Sequence, residues 1–534
     1  MLKTSIFTFV TAVAAFGCEG DQGPQGEPGP QGEEGPPSGV DPAAPALDKA
    51  FYGLGGRDAV GKLASFKITA SGERAVTLEG YAPEDDSNTI STFDSVTSSD
   101  LANDRLRIDY KRKLLFFGVN TDSHLIINKD LGATEGVESA FGAPGGAIPS
   151  DRWAATLRDQ RLLNPQLILR DVAAGKLTAT DAGLTLRDGE LRHRITVNDG
   201  PRPISLFVDR RTGELTDLET AENDWVTGDT TIEAHYAGWK TWDASGVLFP
   251  SDVIIAFNNQ PIHVERRSAV AVNGALEASL FAFAAGVTPT HVAADAARGA
   301  RNAQFHETFA ALGVPLDGLQ TFVEPQTLAQ GVYHLRGGSH NSLVVEQANG
   351  VVVVDAPLYE ARAKALYDWI ATNIPGKPVT HLVLTHHHRD HTGAARTFVA
   401  RGARVVVGAA AKPFFANAFR ASRTIEPDEL AAAPRAAIID TVPVGGELTL
   451  PDATRPVRIL TVPSTHAADL VTVFTPNQGV LFVTDIYSPG LPPNPAGARE
   501  VRDVVVSKNL AVTTIAGGHG VAGPRADLDT AANM

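Results

Sequence analysis

Thr385-His386-His387-His388-Arg389-Asp390-His391-Thr392-Gly393 is the stretch from which this chain is best read. It follows an apolar segment, Val379 to Leu384, that predicts a strand, and it precedes Ala394 to Ala400, which predicts a helix. The junction of a strand end with a helix start is where open α/β sheets present ligands. His386 and His388 are two apart, so in extended backbone both imidazoles project to one side. Asp390 and His391 can point toward a second position as the chain turns. Imidazole nitrogen and carboxylate oxygen are the donors that hold zinc, or iron or manganese at similar geometry.

The pattern H-x-H-x-D-H resembles the signature of the metallo-β-lactamase fold. The resemblance implies three further ligands downstream in fixed order, and each position is filled. His466 stands in Pro463-Ser464-Thr465-His466, between strands predicted over Val457 to Val462 and Leu470 to Phe474. Asp485 follows the apolar Val480-Leu481-Phe482-Val483, and His519 lies in Ala516-Gly517-Gly518-His519-Gly520. Asp355, closing Val351-Val352-Val353-Val354, matches the family's early structural aspartate. What the resemblance implies is an α/β fold, an αββα sandwich over 321–534, with two metal sites. His386, His388 and His466 would form one, Asp390, His391 and His519 the other, and Asp485 would bridge them. Two zinc ions are the expected cofactors, with iron or manganese as alternatives. A hydroxide between the metals would be the nucleophile, and the metals would polarise the scissile oxygen. Asp390 is the candidate to orient the nucleophile and carry a proton to the leaving group. Tyr487 is a candidate donor to a substrate oxyanion. His387 and Arg389 fall at variable positions of the run, facing solvent or standing behind the ligands.

An aspartate at 485, where zinc β-lactamases of the common kinds carry cysteine or serine, resembles the thioester hydrolases, lactonases, phosphodiesterases and sulfur dioxygenases of the superfamily. The loops Pro463–Leu470, Thr484–Pro489 and Gly517–Gly520 contain no Arg or Lys, whereas a phosphodiester calls for such cations. Phe482, Ile486, Tyr487, Pro489 and Leu491 suit a neutral acyl group instead. The expected activity is therefore hydrolysis of a carboxyl derivative, an ester, thioester or lactone. The alternatives are a mononuclear-iron, sulfur dioxygenase-like enzyme of the same fold, or a lipid-binding carrier in which the metal domain is secondary.

The remaining sequence sets the context. At 534 residues the chain has room for two to four domains, and 43% apolar with 20% charged residues is globular composition. Forty-six Lys+Arg against 61 Asp+Glu give a net charge of −15, which argues against a nucleic-acid partner and leaves a small-molecule substrate. The single cysteine, Cys18, excludes an internal disulfide framework and a thiolate metal cluster.

Lys3 and the apolar run Ile6 to Phe16 read as a secretory signal over 1–18, too short to span a bilayer. Ala15-Phe16-Gly17-Cys18 resembles the lipobox of bacterial lipoproteins, which implies export to the cell envelope and a membrane anchor through acylated Cys18. Over 19–46, glycine recurs every third residue from Gly20 to Gly35, a collagen-like tether read as an extended spacer rather than a trimerising triple helix.

Residues 47–285 predict a mainly antiparallel β domain with few helices. Leu47 to Leu54 is helix-like and stops at Gly55-Gly56. Ile232, Ala234 and Tyr236 alternate with polar residues, and Arg210-Arg211-Thr212-Gly213 joins two strands. A helix carrying Trp153, Leu157 and Arg161 interrupts the strands. The region resembles periplasmic lipoprotein carriers, which implies a curved half-barrel. Residues 286–320 predict a helical connector.

Overall fold

The computed structural model describes residues 44–115, 118–138, 145–148, 150–199, 202–291 and 323–534. The residues read as a signal, Cys18, the glycine triplets and most of the segment read as a connector lie outside them.

In the β-rich region thirteen strands join in one sheet, from Thr290–His291 at one edge to Thr178–Arg187 at the other. Every pair is antiparallel. Thr290–His291, expected in the connector, pairs with Leu131–Val137 and belongs to this sheet. The helix Ala46–Gly53 ends where Gly55 takes φ +101° against the carbonyl of Gly246, a place no Cβ fits. Phe51 and Leu54, with Leu162, Leu163, Ile168 and Leu169 from later helical segments, pack on the inward residues Ile232, Ala234 and Tyr236 of Gly228–Ala237. One face of the sheet is thus covered by helices, as the alternation predicts.

The C-terminal region has two mixed sheets. The first runs in chain order from Glu324–Ala329 to Ile439–Val442, antiparallel up to Val351–Val354 and parallel from there through Val379–Val383 and Arg404–Gly408. The second runs from Glu447–Leu450 to Ala522–Pro524, with Val480–Val483 and Thr514–Gly517 parallel. The uninterrupted valines 351–354 are buried on both sides, as parallel strands between layers require. Val352, Val354 and Val406 of the first sheet meet Ile459, Val473 and Phe482 of the second. On its outer side the first sheet packs Leu366, Ile370 and Phe398 of the helices Glu360–Asn373 and Ala395–Ala400. The second packs Val501, Val505 and Leu528 of Pro495–Ser507 and Arg525–Ala532.

The two regions also touch. Leu78, Trp225 and Val226 of the first pack against Tyr359, Phe414 and Ala418 of the second. Asp229 accepts from the backbone N–H of Thr424 at 2.8 Å and from Ser422 Oγ at 2.9 Å.

Candidate metal centre

The parallel pairings set the centre. Val354 lies opposite Val383, so Asp355 and Thr385 leave neighbouring strand ends; Val483 opposite Gly517 does the same for Asp485 and His519. Asp355 and Asp485 both turn through left-handed backbone, φ +61° and +57°, which aspartate tolerates better than most residues.

Seven sequence-identified residues converge there. His386, His388, His466 and Asp485 offer donor atoms within 4.8 Å of one another, and so do Asp390, His391 and His519 with a fourth residue, His340. Asp485 stands between the groups. Its Oδ2 is 3.0 Å from His386 Nε2 and 2.9 Å from His466 Nε2; its Oδ1 is 3.0 Å from His391 Nε2 and 2.9 Å from His519 Nε2.

Groups behind the imidazoles fix which nitrogen faces inward. Asp355 Oδ2 holds His391 Nδ1 at 3.0 Å while its other oxygen accepts from the Thr385 N–H at 2.8 Å. Thr385 Oγ1 meets His386 Nδ1 at 3.1 Å, and the Ser339 carbonyl meets His519 Nδ1 at 2.8 Å. His388 is held from the β-rich region: its Nε2 lies 2.8 Å from the carbonyl of Gly80, and its Nδ1 lies 3.4 Å from Glu79 Oε2.

Burial and the neighbouring His388 push the His386 pKa well below the usual imidazole value, and burial with His466 lowers His388 to about 4. Burial opposes the Asp485 carboxylate, but His391 and His386 hold its pKa well below the usual range. Neutral imidazoles beside ionised carboxylates are the protonation states a cation needs. His391 and His519 are exceptions: against burial, Asp485 and Asp390 raise His391 well above the ordinary value, and Asp485 raises His519. His388 Nδ1 and Asp390 Oδ1 are buried and hydrogen-bond to nothing, and buried His386 Nε2 has Asp485 Oδ2 beside it at 3.0 Å, so this donor set fits metal ions. His386 and His391 are fully buried, whereas the side chains of Asp390 and His466 are 31% and 29% exposed, which marks the side open to a substrate.

His387 and Arg389, expected to face solvent or to stand behind the ligands, do not face solvent. His387 is buried with Nδ1 2.7 Å from Asp469 Oδ1, and Arg389 is buried against Asp224 and Thr77 of the β-rich region. Tyr487 and Ile486 pack inside the apolar layer beneath Pro495–Ser507, and Phe482 fills the space between the sheets. Among the apolar residues expected to line a pocket, Leu491 is exposed, at 47%. Sequence reasoning missed His340, whose Nε2 lies 2.8 Å from Asp390 Oδ2, and the loop 77–81.

Residues 335–510 match the model of the metallo-beta-lactamase superfamily. This segment is a metallo-β-lactamase superfamily domain. The match leaves the β-rich region outside, and no curated protein matches the chain. Solved structures similar to this chain include DIM-1 metallo-β-lactamase exposed to ceftazidime (18% identity, TM-score 0.32, covering 40% of this chain and 95% of that one). Others are FIM-1 from Pseudomonas aeruginosa in its mono-zinc form (17%, 0.33, 40% and 95%) and the metallo-β-lactamase from Pontibacter korlensis (19%, 0.30, 40% and 100%).

Proposed function

We propose that this protein is a two-metal hydrolase acting on a carboxyl derivative, an ester, thioester or lactone, and that acylated Cys18 tethers it to a membrane of the bacterial cell envelope. We read the C-terminal layering as an αββα sandwich and the thirteen-stranded sheet as an open half-barrel. The observation that carries the function is Asp485, whose two oxygens each face two imidazoles of a different group. His386, His388 and His466 would hold one cation, Asp390, His391 and His519 the other, with Asp485 shared. When bound, two zinc ions, or iron or manganese, supply an activated water and a Lewis acid for the scissile carbonyl.

The chain's own residues position the reaction. Asp390 Oδ2 is fixed by His340 Nε2 at 2.8 Å, and its Oδ1 hydrogen-bonds to nothing. That oxygen is placed to accept a proton and pass it to the leaving group. The substrate class rests on charge. Arg389, the cation of the histidine run, is occupied by Asp224 and Thr77, and the carboxylate of Glu79 stands beside His388. A neutral acyl group fits such a mouth better than a phosphodiester.

A carrier role is less well supported. The cavity of about 760 Å³ on the large sheet is lined by Glu73, Asp94, Lys111, Arg112, Lys113 and Arg266 among others, a charged wall that acyl chains do not favour.

The test compares p-nitrophenyl esters, thioesters and lactones with bis-p-nitrophenyl phosphate on zinc-loaded protein. The acyl substrates are expected to give the higher kcat/KM. A tenfold preference for the phosphodiester, about 1.4 kcal/mol of transition-state binding, overturns the substrate class.

A further inference from the structure

Glu79 belongs to the β-rich region, yet its Oε2 lies 3.4 Å from His388 Nδ1. That nitrogen is turned toward the centre, because Nε2 is engaged by the Gly80 carbonyl at 2.8 Å. His388 is 2% exposed and its Nδ1 hydrogen-bonds to nothing. Neighbouring donors bonded to one cation at about 2.0–2.1 Å stand about 3–3.6 Å apart in four- or five-coordinate geometry. Glu79 stands at the distance of a second ligand from His388, but outside the four donors within 4.8 Å of one another, so its side chain must rotate to join an ion held by His386, His388 and His466.

The chain holds Glu79 there against local preference. Leu78 takes φ +59°, a left-handed turn that leucine rarely adopts. Leu78 packs against the cluster of Trp225, Val226 and Ala418, where the two regions meet. Before it, Thr77 receives the buried guanidinium of Arg389; after it, the Tyr81 carbonyl accepts from the Ala468 N–H at 2.8 Å. The strained turn is pinned on both sides, with Glu79 at its tip.

We propose that Glu79 is a metal ligand supplied by the β-rich region to the site of His386, His388 and His466, so that the two regions share one centre. The donor set becomes three imidazoles with Asp485 and Glu79, and cation affinity depends on how the regions dock. The inference rests on the two-cation reading above.

The experiment uses the full chain, stripped with chelator and titrated with Co(II) alone, read by visible absorption and by competition with a metallochromic indicator. Wild type is expected to take two equivalents. Glu79→Gln, close to isosteric, should weaken one equivalent about 10–100-fold and change the Co(II) d–d spectrum while leaving the other equivalent unchanged. Acetate added to Glu79→Ala should restore the wild-type spectrum. Circular dichroism and thermal melting of both variants show that each is folded. Titrations and spectra of folded Glu79→Gln superimposable on wild type overturn the proposal, even if the enzyme is an active hydrolase. A Glu79 effect on binding in a protein that turns over no acyl substrate sinks the hydrolase reading and leaves this one standing.

Discussion

Gly80 and His388, 308 positions apart, are joined by a 2.8 Å hydrogen bond from imidazole Nε2 to main-chain carbonyl. A carbonyl only accepts, so the proton sits on Nε2 and the lone pair of Nδ1 faces the centre. A region with no ligand motif of its own thereby sets the tautomer of a histidine in another.

Removing the shared carboxylate should be the most damaging single change. Asp485→Ala is expected to reduce the content from two metal equivalents toward one and to lower kcat by orders of magnitude, measured by elemental analysis and acyl-ester kinetics. One equivalent of iron in wild type, with oxygen uptake and no hydrolysis, would assign the protein to dioxygenase chemistry instead.

Asp355 acts through His391 and Thr385. Asp355→Ala frees the His391 ring and strands the buried Thr385 N–H. Metal affinity should fall about 10–100-fold and stability by about 1–3 kcal/mol. Asp355→Asn should recover part of the stability, because its carbonyl still accepts from Thr385. Competition titration and urea unfolding separate the two effects.

Acid should loosen the contact between regions. Burial opposes the Asp224 carboxylate, but Arg389 and backbone N–H groups hold its pKa at about 2 against an ordinary 3.8. A depressed carboxylate stabilises fully above its unfolded value, and the gain is lost as pH falls through the folded one. The shift corresponds to about 2 kcal/mol, lost between about pH 4 and pH 2. The urea midpoint should drop over that window. Asp224→Asn should remove that share of the slope and cost about 3 kcal/mol at pH 7, because Arg389 stays buried without its counter-charge.

Phe482 separates core packing from substrate contact. Fully buried between the sheets, it should cost about 3–5 kcal/mol as Phe482→Ala in thermal or urea unfolding. KM for an acyl ester, measured well below the new melting temperature, should stay within twofold of wild type.

Cys18→Ser should move the protein from the membrane pellet to the soluble fraction, since acyl chains on one cysteine supply the anchor. Mass spectrometry of the wild-type N-terminus should find Cys18 first and acylated. A serine variant that still pellets with membranes defeats the idea.

The histidine run, His466, Asp485 and His519 were legible because each sits at the end of a short apolar strand, and strand ends are written locally in runs such as Val351–Val354 and Val480–Val483. Alternation likewise marked the strand Gly228–Ala237, and the Gly55-Gly56 stop marked the end of the helix Ala46–Gly53. His340 was less visible, although its position follows from a pairing. The Asn349-Gly350 turn sets Leu343 opposite Val354, which carries His340 past the same sheet end as Asp355. Leu491 remains exposed, but Phe482, Ile486 and Tyr487 were misread, because an apolar residue beside a ligand looks the same whether it lines a pocket or fills a core.

The sequence by itself determined the donor types, their order and the strand ends that carry them, because those depend on neighbours within a few residues. Only the tertiary structure decided which imidazole nitrogen faces inward, that Arg389 is buried rather than exposed, and that Glu79 stands beside His388. Those outcomes depend on hydrogen bonds and burial between segments about three hundred positions apart. No local pattern encodes such contacts; they exist only once both surfaces have been built and pressed together.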